Sequence, residues 1–109
     1  MHIKIRVLFY LLLSSYFCLF SPFSQANNLT LGIYELNRGE FHAAIEQFKP
    51  LVIEGYAPAQ YQMAIIYLQG YGVPKDSMKA LELLRLAAKQ NYVNAQFELA
   101  FIYSEGKLV

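Results

Sequence analysis

A repeat with a period of 36 residues constrains the fold of this chain more than any other feature. When residues 44–73 are aligned with residues 80–109 without a gap, ten of the 30 pairs are identical. A fixed period of roughly 20–50 residues is typical of a solenoid built from one supersecondary unit. The identical pairs are Ala44/Ala80, Glu46/Glu82, Tyr56/Tyr92, Ala59/Ala95, Gln60/Gln96, Ala64/Ala100, Ile66/Ile102, Tyr67/Tyr103, Gly70/Gly106 and Val73/Val109.

The first helix of the central repeat is predicted to begin near Pro58, because a first helical turn tolerates the missing N–H of proline. Inward-facing residues then follow at helical spacing. We expect Gly70 to end this helix in the left-handed conformation. The matching helix one repeat later runs from about Asn94 to Glu105, with Gly106 behind it. The residues predicted to face inward are Ala59, Met63, Ala64 and Tyr67, together with Tyr103 in the last helix.

The second helix of the repeat follows a loop at residues 71–75. Asp76 or Ser77 can cap it by accepting a hydrogen bond from a free backbone N–H. Asn91 is predicted to end it, as Gly55 ends the preceding hairpin. We expect Tyr56 and Tyr92, which follow these two turns, to fasten one hairpin to the next. Small and apolar residues recur at helical spacing along this helix: Ala80, Leu83, Leu84, Ala87 and Ala88.

The preceding segment has the pattern of a shorter hairpin. A short helix is predicted from Leu29 to Arg38, a turn at Gly39, and a second helix from Glu40 to Glu54. Pro50 lies inside that second helix and removes one backbone hydrogen bond. We therefore expect either a bend near this residue or a break of the helix into two pieces.

The stretch Ala59–Ala88 resembles a Sel-1-like repeat, a relative of the tetratricopeptide repeat. The family pattern has Ala, Leu-Gly, Tyr, a Gly-x-Gly-Val loop, Asp, Lys-Ala and Ala-Ala. The resemblance implies an all-α, right-handed solenoid of antiparallel helical hairpins, with about two and a half repeats and five helices. The residues that carry it are Ala59, Met63-Ala64, Tyr67, Gly70-Tyr71-Gly72-Val73, Asp76, Lys79-Ala80 and Ala87-Ala88.

The chain departs from the family pattern in three places. Glu35 occupies the tyrosine position of the first repeat, and Leu108 replaces the second loop glycine of the last. The sequence also stops at Val109, before the second helix of the last repeat. Because solenoids usually need polar end caps, we expect either a short natural form or a truncated chain.

The first 26 residues have the order of a secretory signal. Lys4 and Arg6 precede an apolar stretch at residues 7–20, which is shorter than the about 20 residues of a membrane-spanning helix. Small residues at Ser24 and Ala26 predict cleavage after Ala26. An uncleaved membrane anchor and a buried N-terminal helix are the alternatives. We therefore expect an exported domain at residues 27–109, in the periplasm or outside the cell.

The predicted mature chain offers few groups for chemistry. Its only histidine is His42, and the single cysteine, Cys18, lies in the signal. Its acidic residues are scattered, and we expect Glu46 and Glu82 to be solvated or paired with a basic residue three positions on. With no cysteine and no set of zinc ligands, we predict no cofactor, no metal and no enzyme activity. The chain has no strongly basic patch, so nucleic acid is not an expected partner.

A second set of apolar residues forms a stripe along the helices, on the faces that the inward-facing residues do not occupy. In proteins that this chain resembles, these positions line the concave surface that holds ligands. The stripe, as we call it below, predicts an interaction module that binds a peptide or protein segment. The alternatives are a self-assembling unit joined through the open last helix and a hydrolase like some cysteine-rich relatives. The stripe consists of Leu29, Ile33, Leu36, Tyr61, Ile65, Leu68, Phe97 and Phe101.

Overall fold

The computed structural model describes residues 4–8 and 22–106. Residues 4–8 are helical, while residues 1–3 and 9–21 of the predicted signal lie outside the described part, as do Leu108 and Val109. Helices that are neighbours in the chain pack against each other, so the described residues form an all-α solenoid of hairpins. Its helices are α1 (Pro22–Asn37), α2 (Phe41–Ile53), α3 (Ala57–Gln69), α4 (Ser77–Lys89) and α5 (Val93–Glu105).

The ends of the repeat helices lie where the sequence predicts them. Gly70 and Gly106 adopt positive φ angles of 72° and 63° and end α3 and α5. Asn91 has a φ of 63° after α4, which is unusual for a residue other than glycine. Of the two predicted caps of α4, Asp76 is the one used: its carboxylate accepts the backbone N–H of Lys79 at 3.1 Å.

The first hairpin differs from the prediction. Helix α1 begins at Pro22, seven residues before the predicted start at Leu29, and therefore runs through Ala26. No residue between Pro22 and Leu29 breaks a helix, and the hydroxyl of Thr30 donates to the Ala26 carbonyl at 2.8 Å. Helix α2 continues through Pro50 without breaking into two pieces. Pro50 lies in the last turn, where the loss of one hydrogen bond disturbs little of the helix.

The core runs along the solenoid as one cluster. Three helices each contribute one large, fully buried side chain, namely Phe48, Ile66 and Leu84. Small residues fill the closest approaches between helices, and Ala64 is fully buried as predicted. Because the chain is small, this single cluster holds all of α2, α3 and α4 together. The other fully buried small residues are Ala44, Ala59, Ala80, Ala87 and Ala95.

The tyrosines predicted to pack inward have two outcomes. Tyr67 is half-buried and packs against the core, as predicted. Tyr103, by contrast, is exposed, and its hydroxyl accepts a hydrogen bond from Arg85 at 2.8 Å. The prediction for Tyr103 is wrong because, within the described residues, α5 is the last helix and has no following helix to cover it.

Aromatic contacts join successive hairpins. The ring of Tyr92, after α4, lies 5.6 Å from the ring of Tyr61 on α3, which confirms its predicted fastening role. Tyr56 is half-buried at the corresponding turn. At the other end of the solenoid, Phe41 of α2 stacks on Tyr71 in the α3–α4 loop, with ring centroids 4.8 Å apart. The neighbouring hairpins are thus held by aromatic contacts in addition to the core.

Candidate functional site

The structure exposes the stripe unevenly. Five of its residues are half-buried and pack against the core: Leu29, Ile33, Leu36, Tyr61 and Leu68. Ile65 is also half-buried. The two stripe residues of α5 are exposed, with 69% of Phe97 and 44% of Phe101 accessible to solvent. The stripe is therefore a shielded surface on α1 and α3 and an open one on α5.

A groove of about 390 Å³ lies between the end of α3 and α5. It brings together Leu68 and Phe101, two residues of the stripe that are 33 positions apart in the chain. The other six stripe residues do not line it. Lys75 and Glu98 place opposite charges in its wall. The remaining lining residues are Gln69, Ser77 and Ile102.

Tyr61, in the half-buried part of the stripe, packs against Tyr92. Its ring meets that of Tyr92 at an angle of 56°, a tilted arrangement that aromatic pairs favour. Burial raises the pKa of the Tyr61 hydroxyl above its ordinary value of 10.0, and the negative charge of Glu98 and the neighbouring Tyr92 raise it further. Tyr61 therefore stays protonated and neutral at physiological pH.

The polar residues singled out in the sequence have simple structural roles. Lys49 pairs with Glu46 at 3.2 Å, as predicted. Glu82 is exposed, while Arg85 donates to the hydroxyl of Tyr103 rather than pairing with Glu82. His42 is exposed in the first turn of α2. In the described part of the chain, no group of three or more His, Cys, Asp or Glu residues is placed to hold a metal ion.

A pair of glutamines, of which only Gln60 is buried, has a larger role than its sequence positions suggest. Gln60 is buried, and the amide of Gln90 donates to its side-chain oxygen and to the Gly55 carbonyl, both at 2.9 Å. These bonds tie the end of α4 to the turn before α3. Gln96, the repeat counterpart of Gln60, donates to the Ala88 carbonyl instead, at 3.2 Å, so the repeat does not predict this pair. Lys75 and Glu98, which line the groove, were missed because they lie beside the stripe and not on it.

No helix in the described ranges is long and apolar enough to cross a membrane. The polar contacts above are exposed surface pairs, helix caps or links between hairpins. The surface features that involve the stripe are the groove and the exposed aromatic residues of α5.

Comparisons with known proteins agree with this architecture. The family model of the Sel1 repeat matches residues 57–92, which contain α3 and α4, and residues 93–109, which contain α5. Searches of the curated proteins and of the solved structures find no match. Sel1 repeats are generally protein-interaction modules and typically non-catalytic scaffolds. Helices α3, α4 and α5 thus belong to Sel1 repeats.

Proposed function

We propose that this chain is an exported, non-catalytic module that binds a peptide or protein segment through the stripe on the concave side of the solenoid. One observation carries the proposal: the groove between α3 and α5 joins Leu68 and Phe101, and the exposed Phe97 lies one helical turn before Phe101 on α5. Exposed apolar surface of this kind commonly marks a contact site. The general role of Sel1 repeats in protein interaction supports the same function.

The wall of the groove suits a polypeptide better than a purely apolar ligand. Leu68 and Phe101 can receive an apolar side chain, while Gln69 and Ser77 can bond to the backbone of a bound segment. Lys75 and Glu98 can each pair with an opposite charge on it. Because recognition by a few aromatic anchors is typical of protein interfaces, Phe97 is expected to contribute strongly to binding.

A crosslinking experiment tests the proposal. A photoreactive phenylalanine placed at position 97 should form a covalent product with the partner in cells. The matched control places it at Met78, which is similarly exposed at 72% but lies on α4, on the same helix face as the exposed residues Glu82 and Lys89. We expect a discrete product from position 97 that Met78 does not give. The same product from both positions, or from neither, would contradict the proposal.

Substitution of Phe97 gives an independent test. Phe97→Ser should leave stability within about ±0.5 kcal/mol, because surface changes have small effects, and should weaken capture of the crosslinked partner. The sequence alone would pair Phe97 with Tyr61 in a double substitution to serine. Tyr61 is half-buried against Tyr92, so its loss would also destabilise the fold, and the single change is cleaner. Retained capture by folded Phe97→Ser would place the interaction elsewhere.

Self-assembly is the second candidate, and the exposure of α5 favours it. Val93 and Tyr103 are exposed on this helix in addition to Phe97. Size-exclusion chromatography with light scattering distinguishes the two functions. A dimer that dissociates in Phe97→Ser would support self-assembly, while a monomer that still captures a foreign segment would support the module.

Export is the remaining part of the proposal, and it rests on the order of basic, apolar and small residues before Asn27. Cleavage after Ala26 would remove the first five residues of α1, including Gln25, whose amide donates to Glu54 at 2.9 Å. The intact mass of the exported protein should correspond to a chain beginning at Asn27. A membrane-bound product that retains Met1 would contradict cleavage.

A further inference from the structure

A second groove lies on a part of the surface that contains no residue of the stripe. It has a volume of about 240 Å³ and lies between α2, α3 and α4. Its charged lining residues are two lysines, Lys49 and Lys79, and the rest of its lining is apolar or aromatic. Those other lining residues are Val52, Ile53, Met63, Tyr67 and Leu83.

The fold makes this groove a stable feature of the surface. Met63 and Leu83 are buried core residues and form its floor. Val52 and Tyr67 are half-buried and pack against the same core. Ile53, the last residue of α2, stands at the edge with 86% of its surface exposed. A large aliphatic side chain left so open beside an apolar floor extends the apolar surface that a ligand can cover.

The positive charges of the groove are only partly neutralised. The Lys79 ammonium lies 5.0 Å from the centre of the Tyr67 ring, which attracts a cation without cancelling its charge. Among the described residues, no carboxylate lies within ion-pair distance of Lys79. Two acidic residues, Asp76 and Glu82, lie three positions from Lys79; Asp76 accepts its backbone N–H, and Glu82 forms no ion pair with it. Lys49 pairs with Glu46, but both are more than half exposed, so this pair is weak and readily exchanged.

We infer that this groove binds an acidic segment of a partner protein that carries one large apolar side chain. The apolar side chain rests on Met63, Leu83 and the Tyr67 ring, against Ile53. A neighbouring carboxylate pairs with Lys79, and a second one competes with Glu46 for Lys49. Charge complementarity identifies the occupant, because the only ionic groups in the lining are cationic.

The size of the groove favours a single side chain over a lipid. A cavity of about 150 Å³ accommodates benzene, so about 240 Å³ holds one aromatic or leucine-sized group and an adjoining carboxylate. A long acyl chain would leave most of its length in water. The inference is independent of the proposed function, because the two grooves share no lining residue.

Binding can be measured on the full chain with three labelled peptides. The probe GEDFDEG has acidic residues on both sides of one phenylalanine, GQNFNQG has the phenylalanine without charge, and GEDGDEG has the charge without phenylalanine. We expect only the first to bind, with an affinity that falls as salt is added. Equal binding of the neutral peptide, or no binding of the acidic one, would overturn the inference.

Two methionines locate the bound peptide. Met63 lies in the groove floor and Met78 is exposed outside it, so labelled methionine methyl groups give a reporter and a control in one sample. GEDFDEG should shift the Met63 methyl signal and leave that of Met78 nearly unchanged. A shift of Met78 alone would place the peptide elsewhere and overturn the inference.

Lysine variants test the charge requirement. Lys79→Gln should raise the dissociation constant by about two- to fivefold, as expected for a partly exposed ion pair. Lys89→Gln is the matched control, because it removes the same charge from the same helix outside the groove. Equal effects of the two variants would mean that Lys79 acts only through the net charge of the protein and not through a contact with the peptide, and would overturn the inference. Octanoate gives the final comparison: if it shifts Met63 in a Lys79-dependent way and the peptide does not, the occupant is a small amphiphile.

Discussion

Helices α3 and α5 occupy the same place in the repeat, 36 residues apart, and adopt the same local structure. Their N-terminal caps, Tyr56 and Tyr92, have φ and ψ angles of −74°, 110° and −75°, 106°. Each helix has 13 residues and ends at a glycine in the left-handed region. Local sequence therefore determines where these helices begin and end, whatever lies beside them.

The surroundings of the two helices are different. Ala57, the first residue of α3, is 8% exposed, whereas its counterpart Val93 on α5 is 70% exposed. Ala64 is fully buried and its counterpart Ala100 is exposed. Helix α4 and Tyr92 cover α3, and no helix follows α5 within residues 22–106. Ala95 and Ile102 of α5 stay buried like Ala59 and Ile66, so the next helix decides burial only on the face that carries Ala64 and Ala100.

The sharpest test of this comparison is the same substitution at the two alanines. Ala64→Leu adds three carbons at a position with no free volume and should cost about 3 kcal/mol or more, at or above the upper end for overpacking. Ala100→Leu should change the unfolding free energy by less than about 0.5 kcal/mol, because Ala100 is exposed. Urea denaturation measures both. Similar losses from the two variants would mean that α5 is covered in solution.

The comparison extends to α1, because Gly32 occupies the repeat position on α1 that Ala64 occupies on α3. A methyl group on Gly32 would lie 2.5 Å from Cε1 of Phe48, a ring that is fully buried. Gly32→Ala should therefore destabilise the chain by about 1 kcal/mol, the clash outweighing the better helix propensity of alanine. Thermal unfolding measures it. Phe48→Leu should cost less stability in the Gly32→Ala chain than in the parent chain, because it removes the clash, and a stabilised Gly32→Ala would show that the ring moves aside freely.

The sequence predicted the repeat helices well because their start and stop signals are local. Gly70, Asp76 and Asn91 act through their own backbone conformation or a nearby N–H, and all three have the roles predicted for them. The predicted start of α1 was wrong because its first residues carry no strong sequence signal for or against a helix. The repeat pattern begins only at Leu29, while the helix continues back to Pro22.

The candidate site was only partly predictable, because a spacing rule assigns a face to a residue but not its neighbours. Leu68 and Phe101 meet in one groove, as a shared stripe implies. Tyr61 occupies the same stripe but is half-buried, because Tyr92 from the following turn covers its ring. Contacts of this kind join residues about 30 positions apart and leave no mark in a periodic pattern.

The cap of α4 tests the covering helix itself. Asp76→Ala removes the carboxylate that accepts the Lys79 N–H, and should cost about 1 kcal/mol, the usual loss for an N-cap. Because α4 covers α3, hydrogen exchange should accelerate in the first turn of α4 and in α3 more than in α5. Ser77→Ala is the matched control, since Ser77 was the other predicted cap and its side chain accepts no cap hydrogen bond in the structure. Equal effects of the two variants would contradict the assigned role of Asp76.

The smallest expected effect comes from a substitution that removes a single oxygen atom from α3 and gives it the residue found at the same position of α5. Tyr61→Phe places on α3 the residue that α5 carries at position 97, keeping the ring against Tyr92 and removing the hydroxyl. The folded state raises the pKa of Tyr61 above 10.0, so above about pH 10 it retains a proton that the unfolded chain has lost. The Tyr61 hydroxyl therefore contributes to the free energy of unfolding in full below pH 10, and this contribution is lost as the pH rises through its raised pKa. In Tyr61→Phe this alkaline loss should be smaller, while the unfolding free energy at neutral pH stays close to that of the parent chain.

Urea denaturation at a series of alkaline pH values measures the difference, with Tyr34→Phe as the control because Tyr34 is exposed on α1. Glu98→Gln should act in the same direction as Tyr61→Phe but less strongly, since the charge of Glu98 is a smaller cause of the raised pKa than burial. An alkaline loss in Tyr61→Phe equal to that of the parent chain would mean that the Tyr61 hydroxyl is as well solvated as an exposed one, and that α3 and α5 differ less at this position than their burial indicates.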